Sequence, residues 1–259
     1  MEKRPRVNSL EAFDQEEGTC SLPLFLPTCY TQHMKDSSLT IFDFDGTLYP
    51  IDTYDSEQLL ILLGARERGV FFTKRCKHFI AQDQEGVFND SSFHHRYEKL
   101  VKRTNDTMFE EVAEVLLSHV GEKEKRALLK LSDICDLGIL TCGTENLARA
   151  FLRKLGIEDS FSFIRGKKLV RDKEGISHLV VDIDGPEAKA ERLTSLRKDY
   201  DTIIAIGDGP TDIPMLEAAD YGIIVAWNKQ NQQYPYATFP SLESAVLHTI
   251  HYLESSERA

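Results

Sequence analysis

Short apolar segments that resemble β-strands alternate along this chain with segments whose apolar residues recur at helical spacing. The strand-like segments cover residues 39–42, 137–141, 203–206 and 221–225. Short apolar segments of this kind are typical of strands buried on both faces of a parallel sheet. Strands that alternate with helices predict an α/β fold, in which helices cover both faces of a doubly wound parallel sheet.

The domain organisation follows from the length of the chain and from one helical interruption. The chain has 259 residues, and a usual domain has ~150, which favours one core with an inserted module. Residues 53–134 carry helix signals and predict an α-helical cap between the first two strands. Residues 39–52 and 135–259 form the predicted core. Residues 1–38 show no sustained period and predict a poorly ordered leader or an arm.

The composition argues against several classes of function. A formal charge of −11 argues against nucleic acid or an acidic membrane as a partner, because both attract basic surfaces. No apolar segment approaches the ~18 residues that a membrane span requires. The five cysteines form no C-x-x-C pair, so neither a zinc site nor a disulfide framework is indicated. A reducing cytoplasm is therefore the expected location.

Two carboxylates directly follow the first predicted strand. Asp43 and Asp45 are two residues apart, so in extended backbone their side chains point to the same side, and Gly46 then allows a sharp turn. Open parallel sheets bind ligands beyond the carboxyl ends of their strands. Two like charges this close need a cation or a proton, and Mg²⁺ is the expected ion. Taken alone, these residues also suit an acidic turn without a ligand.

Acidic residues also follow the strand predicted at 203–206. Asp208 would meet Asp43 across the carboxyl edge of neighbouring strands, since the glycines beside it allow close backbone approach. Asp212 begins the next helix, where it either supports a bound ligand or acts as an N-terminal charge.

The segment that follows the strand at 137–141 suits a phosphate group. Thr141 offers a hydroxyl, and Cys142 and Gly143 offer backbone N–H groups ahead of a helix N-terminus. A threonine in this place also suits a local cap. Cys142 is interpreted as a small structural residue, although a thiol beside a phosphate site also allows sensitivity to oxidation.

A phosphate site this acidic also needs a fixed positive charge. Lys189 follows a Gly-Pro pair at the start of a helix and is the predicted lysine. Lys167 and Lys168 are competitors, but a run of charge in a predicted hairpin is more typical of a solvated face.

These four sites together resemble the haloacid dehalogenase superfamily of phosphohydrolases. The matching residues are DFDGT at 43–47, LTCG at 140–143, Lys189, and GDGPTD at 207–212. The helical insert resembles the cap of the phosphoserine-phosphatase-like branch. The resemblance implies a Rossmann-like sheet of strand order 5-4-1-2-3, a cap that closes over a small phosphorylated substrate, and hydrolysis through an aspartyl-phosphate.

The resemblance also implies a role for each matching residue. Asp43 would be the nucleophile, and Asp45 the general acid and base. The implied magnesium ligands are Asp43, Asp208 and the backbone carbonyl of Asp45, with Asp212 orienting the site. The implied phosphate-binding residues are Thr141, Cys142, Gly143 and Lys189.

The cap carries the residues that would select the substrate. Phosphoserine-specific members of the family have an acidic residue soon after the first motif, and Asp52 occupies the matching place. The arginine that would bind a substrate carboxylate has four candidates, Arg66, Arg68, Arg75 and Arg96. The sequence leaves the substrate and the oligomeric state open.

The predicted activity is that of a magnesium-dependent phosphomonoesterase. A dehalogenase of the same fold lacks a carboxylate at the place of Asp45, and a transport ATPase has threonine there and needs membrane helices. Three alternatives remain: a sugar phosphomutase, a protein phosphatase, and a non-catalytic regulatory protein that binds phosphate.

Overall fold

The computed structural model describes residues 38–227 and 234–256, so the leader predicted at 1–38 lies outside the described residues except for Ser38. The strands are β1 (Ser38–Phe42), β2 (Asp136–Thr144), β3 (Phe161–Arg171), β4 (Ser177–Val181), β5 (Thr202–Gly207), β6 (Tyr221–Val225) and β7 (Ala237–Phe239). The helices are α1 (Ser56–Ala65), α2 (Val70–Gln84), α3 (Asp90–Val101), α4 (Asp106–Leu117), α5 (Glu122–Ser132), α6 (Glu145–Leu155), α7 (Pro186–Leu196), α8 (Ile213–Ala218) and α9 (Leu242–Ser256).

The strands form one sheet in the order β4-β3-β2-β1-β5-β6-β7. All neighbours are parallel except β3 and β4, which form an antiparallel hairpin. The five inner strands reproduce the predicted order 5-4-1-2-3 when the sheet is viewed from its other edge. The predicted α/β fold is confirmed, and β4 and β7 extend the sheet at its two edges.

The two faces of the sheet bury separate groups of apolar residues. On one face, Phe42 of β1 packs in a cluster with apolar residues of α5, α6 and α9. On the other face, Ile41 of the same strand belongs to a cluster with residues of α7 and α8. Successive residues of a strand point to opposite faces, so burial of both accounts for the continuous apolar pattern of β1.

Five helices, α1 to α5, lie between β1 and β2 in the sequence, where the cap is predicted. Within this segment α1 packs against α2, α3 and α4, whereas α4 packs against α6 and α5 packs against α9. The last two helices of the insert therefore contact helices of the predicted core, and the cap boundaries at 53 and 134 stay a prediction. Of the helices in the described part of the chain, none is long and apolar enough to span a membrane.

Candidate active site

The predicted site residues lie at the carboxyl edge of the central strands. β1 pairs in parallel with β2 on one side and with β5 on the other, so the residues that follow these strands meet at one edge. The Asp43 N–H donates to the carbonyl of Ile206 at 2.9 Å, which continues the ladder between β1 and β5 by one residue. Asp43 therefore leaves the sheet beside the turn that carries Asp208.

A buried lysine joins the acidic residues at this edge. Lys189 is 1% exposed, and its Nζ donates to Asp43 Oδ1 at 2.6 Å and to Asp212 Oδ1 at 2.7 Å. The hydroxyl of Thr47 lies 3.5 Å from the second oxygen of Asp43. Carboxylate oxygens of Asp43, Asp208 and Asp212 all lie within 4.8 Å of one another. We call Asp43, Lys189, Asp208 and Asp212 the strand-end cluster.

The strand-end cluster has more negative than positive charge. Burial raises the pKa of Asp43 well above its ordinary value, Asp212 raises it further, and Lys189 opposes the shift. Burial would lower the pKa of Lys189, but Asp212 and Asp43 raise it well above its ordinary value. Lys189 is therefore charged at neutral pH, and one ammonium group faces three carboxylates. A hard divalent cation with oxygen ligands fits this excess of negative charge.

The carboxylate of Asp212 is already occupied by protein donors. Its Oδ1 accepts from Lys189, and its Oδ2 accepts from the N–H groups of Asp208 at 2.9 Å and Gly209 at 3.2 Å. These bonds fix the turn that follows β5 and hold the lysine in place. Asp212 therefore supports the position of Asp208 and Lys189.

Gly46 brings the turn after β1 against Asp208. Its φ of +86° lies in the left-handed region, and a Cβ atom at this position would lie 2.4 Å from Asp208 Oδ2. A side chain at residue 46 would therefore both strain the backbone and displace the carboxylate. The indole N–H of Trp227 donates to the Gly46 carbonyl at 2.7 Å and holds the turn from the other side.

Asp45 is held through one of its two oxygens. Oδ1 accepts from the backbone N–H of Ser56 at 2.8 Å and from the hydroxyl of Tyr49. Oδ2 points toward residues 141–143 at the carboxyl end of β2. A Cβ atom placed on Gly143 would lie 2.6 Å from this oxygen and 3.1 Å from Thr141 Oγ1. The carboxylate thus faces the predicted phosphate-binding residues in a fixed orientation.

The turn at residues 141–143 lies within the last residues of β2, where the pairing with β3 shifts register, so the strand continues beyond its predicted end at 141. Thr141 and Gly143 are buried, and Cys142 is half-buried. Thr141 Oγ1 accepts from the Gly143 N–H at 2.8 Å, so these two groups of the turn are already bonded to each other. Burial raises the pKa of the Cys142 thiol to about 11, which leaves it protonated at neutral pH.

Asp52 lines a surface cavity of about 200 Å³, to which Tyr49, the partner of Asp45, also belongs. The Asp52 side chain is exposed, and Tyr54 and His119 line the same cavity.

The comparison with protein families agrees with this geometry. Residues 40–217, more than half of the chain, match the family of haloacid dehalogenase-like hydrolases. The chain belongs to this family. The resemblance that the sequence motifs indicated is therefore confirmed at the level of the superfamily.

Solved structures of other haloacid dehalogenase-like proteins have the same fold. A family hydrolase from Salmonella enterica superposes with a TM-score of 0.58 at 20% identity, over 81% of this chain and 71% of that one. A phosphoserine phosphatase from T. onnurineus superposes with a TM-score of 0.60 at 15% identity, over 85% and 97%. A probable phosphoserine phosphatase from Vibrio cholerae gives 0.61 at 15% identity, over 84% and 67%. At these identities the similarity shows the fold alone.

One curated relative of this haloacid dehalogenase-like chain is an endoplasmic-reticulum-type calcium-transporting ATPase of Arabidopsis thaliana. The two are 24% identical over 251 residues, which cover 86% of this chain and 23% of the ATPase. The chain thus spans about a quarter of the length of that relative.

The expectation that Lys167 belongs to a solvated face is wrong. Lys167 is 4% exposed, and its Nζ donates to Glu57 Oε2 at 2.7 Å. Glu57 Oε1 accepts from the Thr144 hydroxyl, which lies 3.1 Å from the hydroxyl of Tyr97. The rings of Phe93 and Tyr97 also lie beside the ammonium group. We call Glu57 and Lys167 the buried cap pair, because it joins α1 of the insert to β3.

No local sequence pattern indicates the buried cap pair. Its members are 110 residues apart, and lysine is almost never fully buried unless it is paired. Lys167 pairs with Thr144 in the β2–β3 register, and this register places it under α1 and α3. Only the packing of the insert on the sheet removes its ammonium group from water.

Proposed function

We propose that this chain is a phosphomonoesterase that hydrolyses a small phosphorylated metabolite through an aspartyl-phosphate on Asp43. The observation that carries the proposal is the position of Asp43, which is 5% exposed and bonded to Lys189 at the strand edge. Asp45 and the turn at 141–143 lie beside it. A nucleophile, a candidate acid–base group and a fixed positive charge thus converge on one point.

Asp43 would attack the phosphorus atom, and the oxygen of the leaving alcohol would depart on the opposite side. Protonated Asp45 would give its proton through Oδ2 to that oxygen and then take a proton from the water that hydrolyses the aspartyl-phosphate. These steps restore the Asp43 carboxylate and the protonated form of Asp45. General acid–base catalysis of this kind contributes roughly 10²- to 10⁴-fold to the rate. The bonds from Ser56 and Tyr49 to Oδ1 support this role, because they orient the carboxylate.

The phosphoryl oxygens would be held by groups of the turn at residues 141–143 and by Lys189. The Thr141 hydroxyl, the N–H groups of Cys142 and Gly143, and the lysine ammonium group supply donors of the kind that stabilise a transferring phosphoryl group. Because Lys189 already bonds Asp43, it would hold nucleophile and phosphoryl group together.

The strand-end cluster would hold Mg²⁺ through Asp43, Asp208 and the backbone carbonyl of Asp45. A bound Mg²⁺ supplies positive charge that polarises the phosphoryl group and balances the carboxylates. Asp212 would position these ligands without binding the ion, since both of its oxygens accept from protein donors.

The substrate would be small, because α1 and α3 pack over the ends of the strands through the buried cap pair and Tyr97. Neither nucleic acid nor a membrane is part of the proposal. The proposed location is the cytoplasm, where the free thiols of Cys76, Cys135 and Cys142 would stay reduced. Asp52 keeps its proposed part in substrate selection.

The test is hydrolysis of para-nitrophenyl phosphate with Mg²⁺ and with a chelator. The native chain should require the ion, and Asp43→Asn should lower turnover by about 10³-fold or more. Asp199→Asn is the matched control, because it removes one exposed carboxylate from a turn. Beryllofluoride should form an adduct on native Asp43. If the native chain shows neither turnover nor this adduct, the proposed activity is wrong.

A further inference from the structure

A cavity of about 280 Å³ lies between α2 and α3, and its lining is basic. Its charged and titratable residues are Arg75, His78, His95, Arg96 and Lys99. No aspartate or glutamate lines it, although the chain as a whole has a formal charge of −11. We call this space the cap cavity. Its residues include none of the strand-end cluster and none of the turn at 141–143.

In the described part of the chain, the cations of the cap cavity have no carboxylate partners. Among the described side chains, no carboxylate oxygen lies within 4.0 Å of Arg75, Arg96 or Lys99, whereas Arg153 and Arg192 pair with glutamate or aspartate. The unbalanced positive charge of the cap cavity therefore suits an anion.

Several groups around the cap cavity are held in place. The Arg96 guanidinium lies 4.9 Å from the centre of the Phe88 ring, and its Nη1 donates to Gln82 Oε1 at 3.4 Å. Lys99 Nζ lies 2.7 Å from His95 Nε2, within hydrogen-bond distance. Arg96 has five N–H donors, and most of them are available to a ligand.

The cap cavity also has an apolar side. Phe79 and Leu100 line it, and both side chains are buried. A ligand with only negative charge would leave this surface without a partner. Small-molecule sites commonly combine an apolar lining with a few fixed polar groups.

We propose that the cap cavity is a second, non-catalytic binding site for a small phosphate ester with a planar or apolar body. The guanidinium groups of Arg75 and Arg96 would bind the phosphate, since their planar forks match its oxygens. The body of the ligand would pack on Phe79 and Leu100. A volume of about 280 Å³ accommodates part or all of a small metabolite and no folded protein element.

A ligand in the cap cavity would act on the site at the strand ends through α3. The same helix places Tyr97 against Thr144 and Phe93 beside Lys167. A molecule that bridges α2 and α3 would stabilise this packing, because it would bind the folded insert and not the unfolded chain. The inference concerns binding, so it holds or fails independently of the proposed hydrolysis.

The test uses adenosine 5′-monophosphate as the probe and the Asp43→Asn variant as the protein, so that turnover does not interfere. Calorimetric titration should show one binding site that is lost, or weakened about tenfold or more, in Asp43→Asn/Arg75→Gln/Arg96→Gln. The matched control is Asp43→Asn/Lys74→Gln/Lys77→Gln, which removes two exposed cations of α2 outside the cavity. This control should bind as Asp43→Asn does. Inorganic pyrophosphate should bind more weakly than the nucleotide, and adenosine should not bind detectably.

Four results would overturn the proposal. These are no binding of the nucleotide, equal binding by the arginine variant, equal loss in the lysine control, and binding of phosphatidylserine vesicles in place of the nucleotide. The last result would assign the basic surface to a membrane. Because Arg75 and Arg96 are exposed, their substitution should leave the thermal unfolding midpoint of the free protein unchanged, and Arg96→Gln alone should still weaken binding.

Discussion

The strand-end cluster and the buried cap pair both contain a buried lysine bonded to a carboxylate, yet they differ in charge balance. Lys189 and Lys167 lie 2.6 Å and 2.7 Å from their respective carboxylates, Asp43 and Glu57. The cap pair has one charge of each sign and needs no further ion. The strand-end cluster has three carboxylates for one ammonium group. The two lysines are thus alike in burial and bond length, and they differ in the number of carboxyl groups around them.

The two lysines also differ in what they join. Lys189, Asp43 and Asp212 all belong to segments that directly precede or follow core strands, so the cluster is built by the sheet itself. The cap pair joins α1 of the insert to β3, and α3 covers it. Substitution of Lys189 should therefore affect catalysis, and substitution of Lys167 should affect how the insert packs.

Of the changes that separate the two lysines, Lys189→Met should have the largest effect. This change removes the group that holds Asp43 and the proposed phosphoryl oxygens, so kcat for para-nitrophenyl phosphate should fall by about 10²- to 10³-fold. Lys167→Met serves as the control and should lower kcat by less than about tenfold. Equal losses of kcat in the two variants would remove the distinction between the two lysines.

The second effect is on stability and concerns Lys167→Met. Without its partner, buried Glu57 must stay charged or take up a proton, and we expect the free energy of unfolding to fall by about 2–3 kcal/mol at neutral pH. The double variant Glu57→Gln/Lys167→Met should recover most of this loss. Urea denaturation of the native chain, both single variants and the double variant measures the coupling.

The pH dependence of Lys167→Met follows from Glu57. Burial raises the pKa of Glu57 above its ordinary value, although Lys167 opposes the shift. Removal of Lys167 takes away the largest opposing effect and leaves burial opposed by the Thr144 hydrogen bond, so the pKa of Glu57 rises further. The folded state then binds the proton more tightly than the unfolded state does. The destabilisation should therefore be small below the unfolded pKa and grow as the pH rises through the folded pKa. A destabilisation that grows toward low pH would contradict this account.

A smaller effect should follow the addition of Mg²⁺. At an ion concentration of about ten times Kd, the native chain should gain about 1.4 kcal/mol of stability, because the ion binds the folded state only. Asp208→Asn should lose most of this gain, and Glu57→Gln should keep it. Thermal unfolding with and without Mg²⁺ makes the comparison, and a gain that survives Asp208→Asn would place the ion elsewhere.

The smallest effect should be that of thiol reagents on Cys142. Burial raises the pKa of this thiol to about 11, and the thiolate is the reactive form. Brief treatment with iodoacetamide at pH 7 should therefore leave Cys142 unmodified, and its modification should accelerate as the pH rises toward 11. Mass spectrometry of the peptide that contains Cys142 measures the rate. Fast modification at pH 7 would contradict the buried, protonated thiol.

Much of the fold could be predicted from local sequence patterns. The strand at 221–225 was predicted with the bounds that the structure gives, and the strands predicted at 39–42 and 203–206 differ from β1 and β5 by one or two terminal residues. These strands are buried on both faces, so they are continuous apolar segments that end at polar turns. The strand predicted at 137–141 is β2, which continues to Thr144. Strands β3, β4 and β7 are not among the predicted strands, although a hairpin is predicted around Lys167 and Lys168.

The candidate site also combines residues that the sequence predicts with contacts that depend on tertiary packing. Asp43 and Asp208 follow strands that the sequence reveals, and β1 and β5 are neighbours, so their proximity follows from the order of the sheet. The bond between Asp45 and Ser56 and the basic cap cavity depend on how the insert packs. Their residues come from segments whose contacts leave no periodic pattern in the sequence.

Local sequence patterns reveal the alternation of strands and helices, the family, and the set of polar residues at the ends of the strands. These features depend on backbone geometry and on interactions between residues close in the chain. Three other features depend on tertiary packing: Lys167 is buried against Glu57, both oxygens of Asp212 accept from protein donors, and five basic residues line a cavity whose lining includes no carboxylate. Burial and charge balance depend on which distant segments pack together, and the charges of one segment do not reveal which groups will face them.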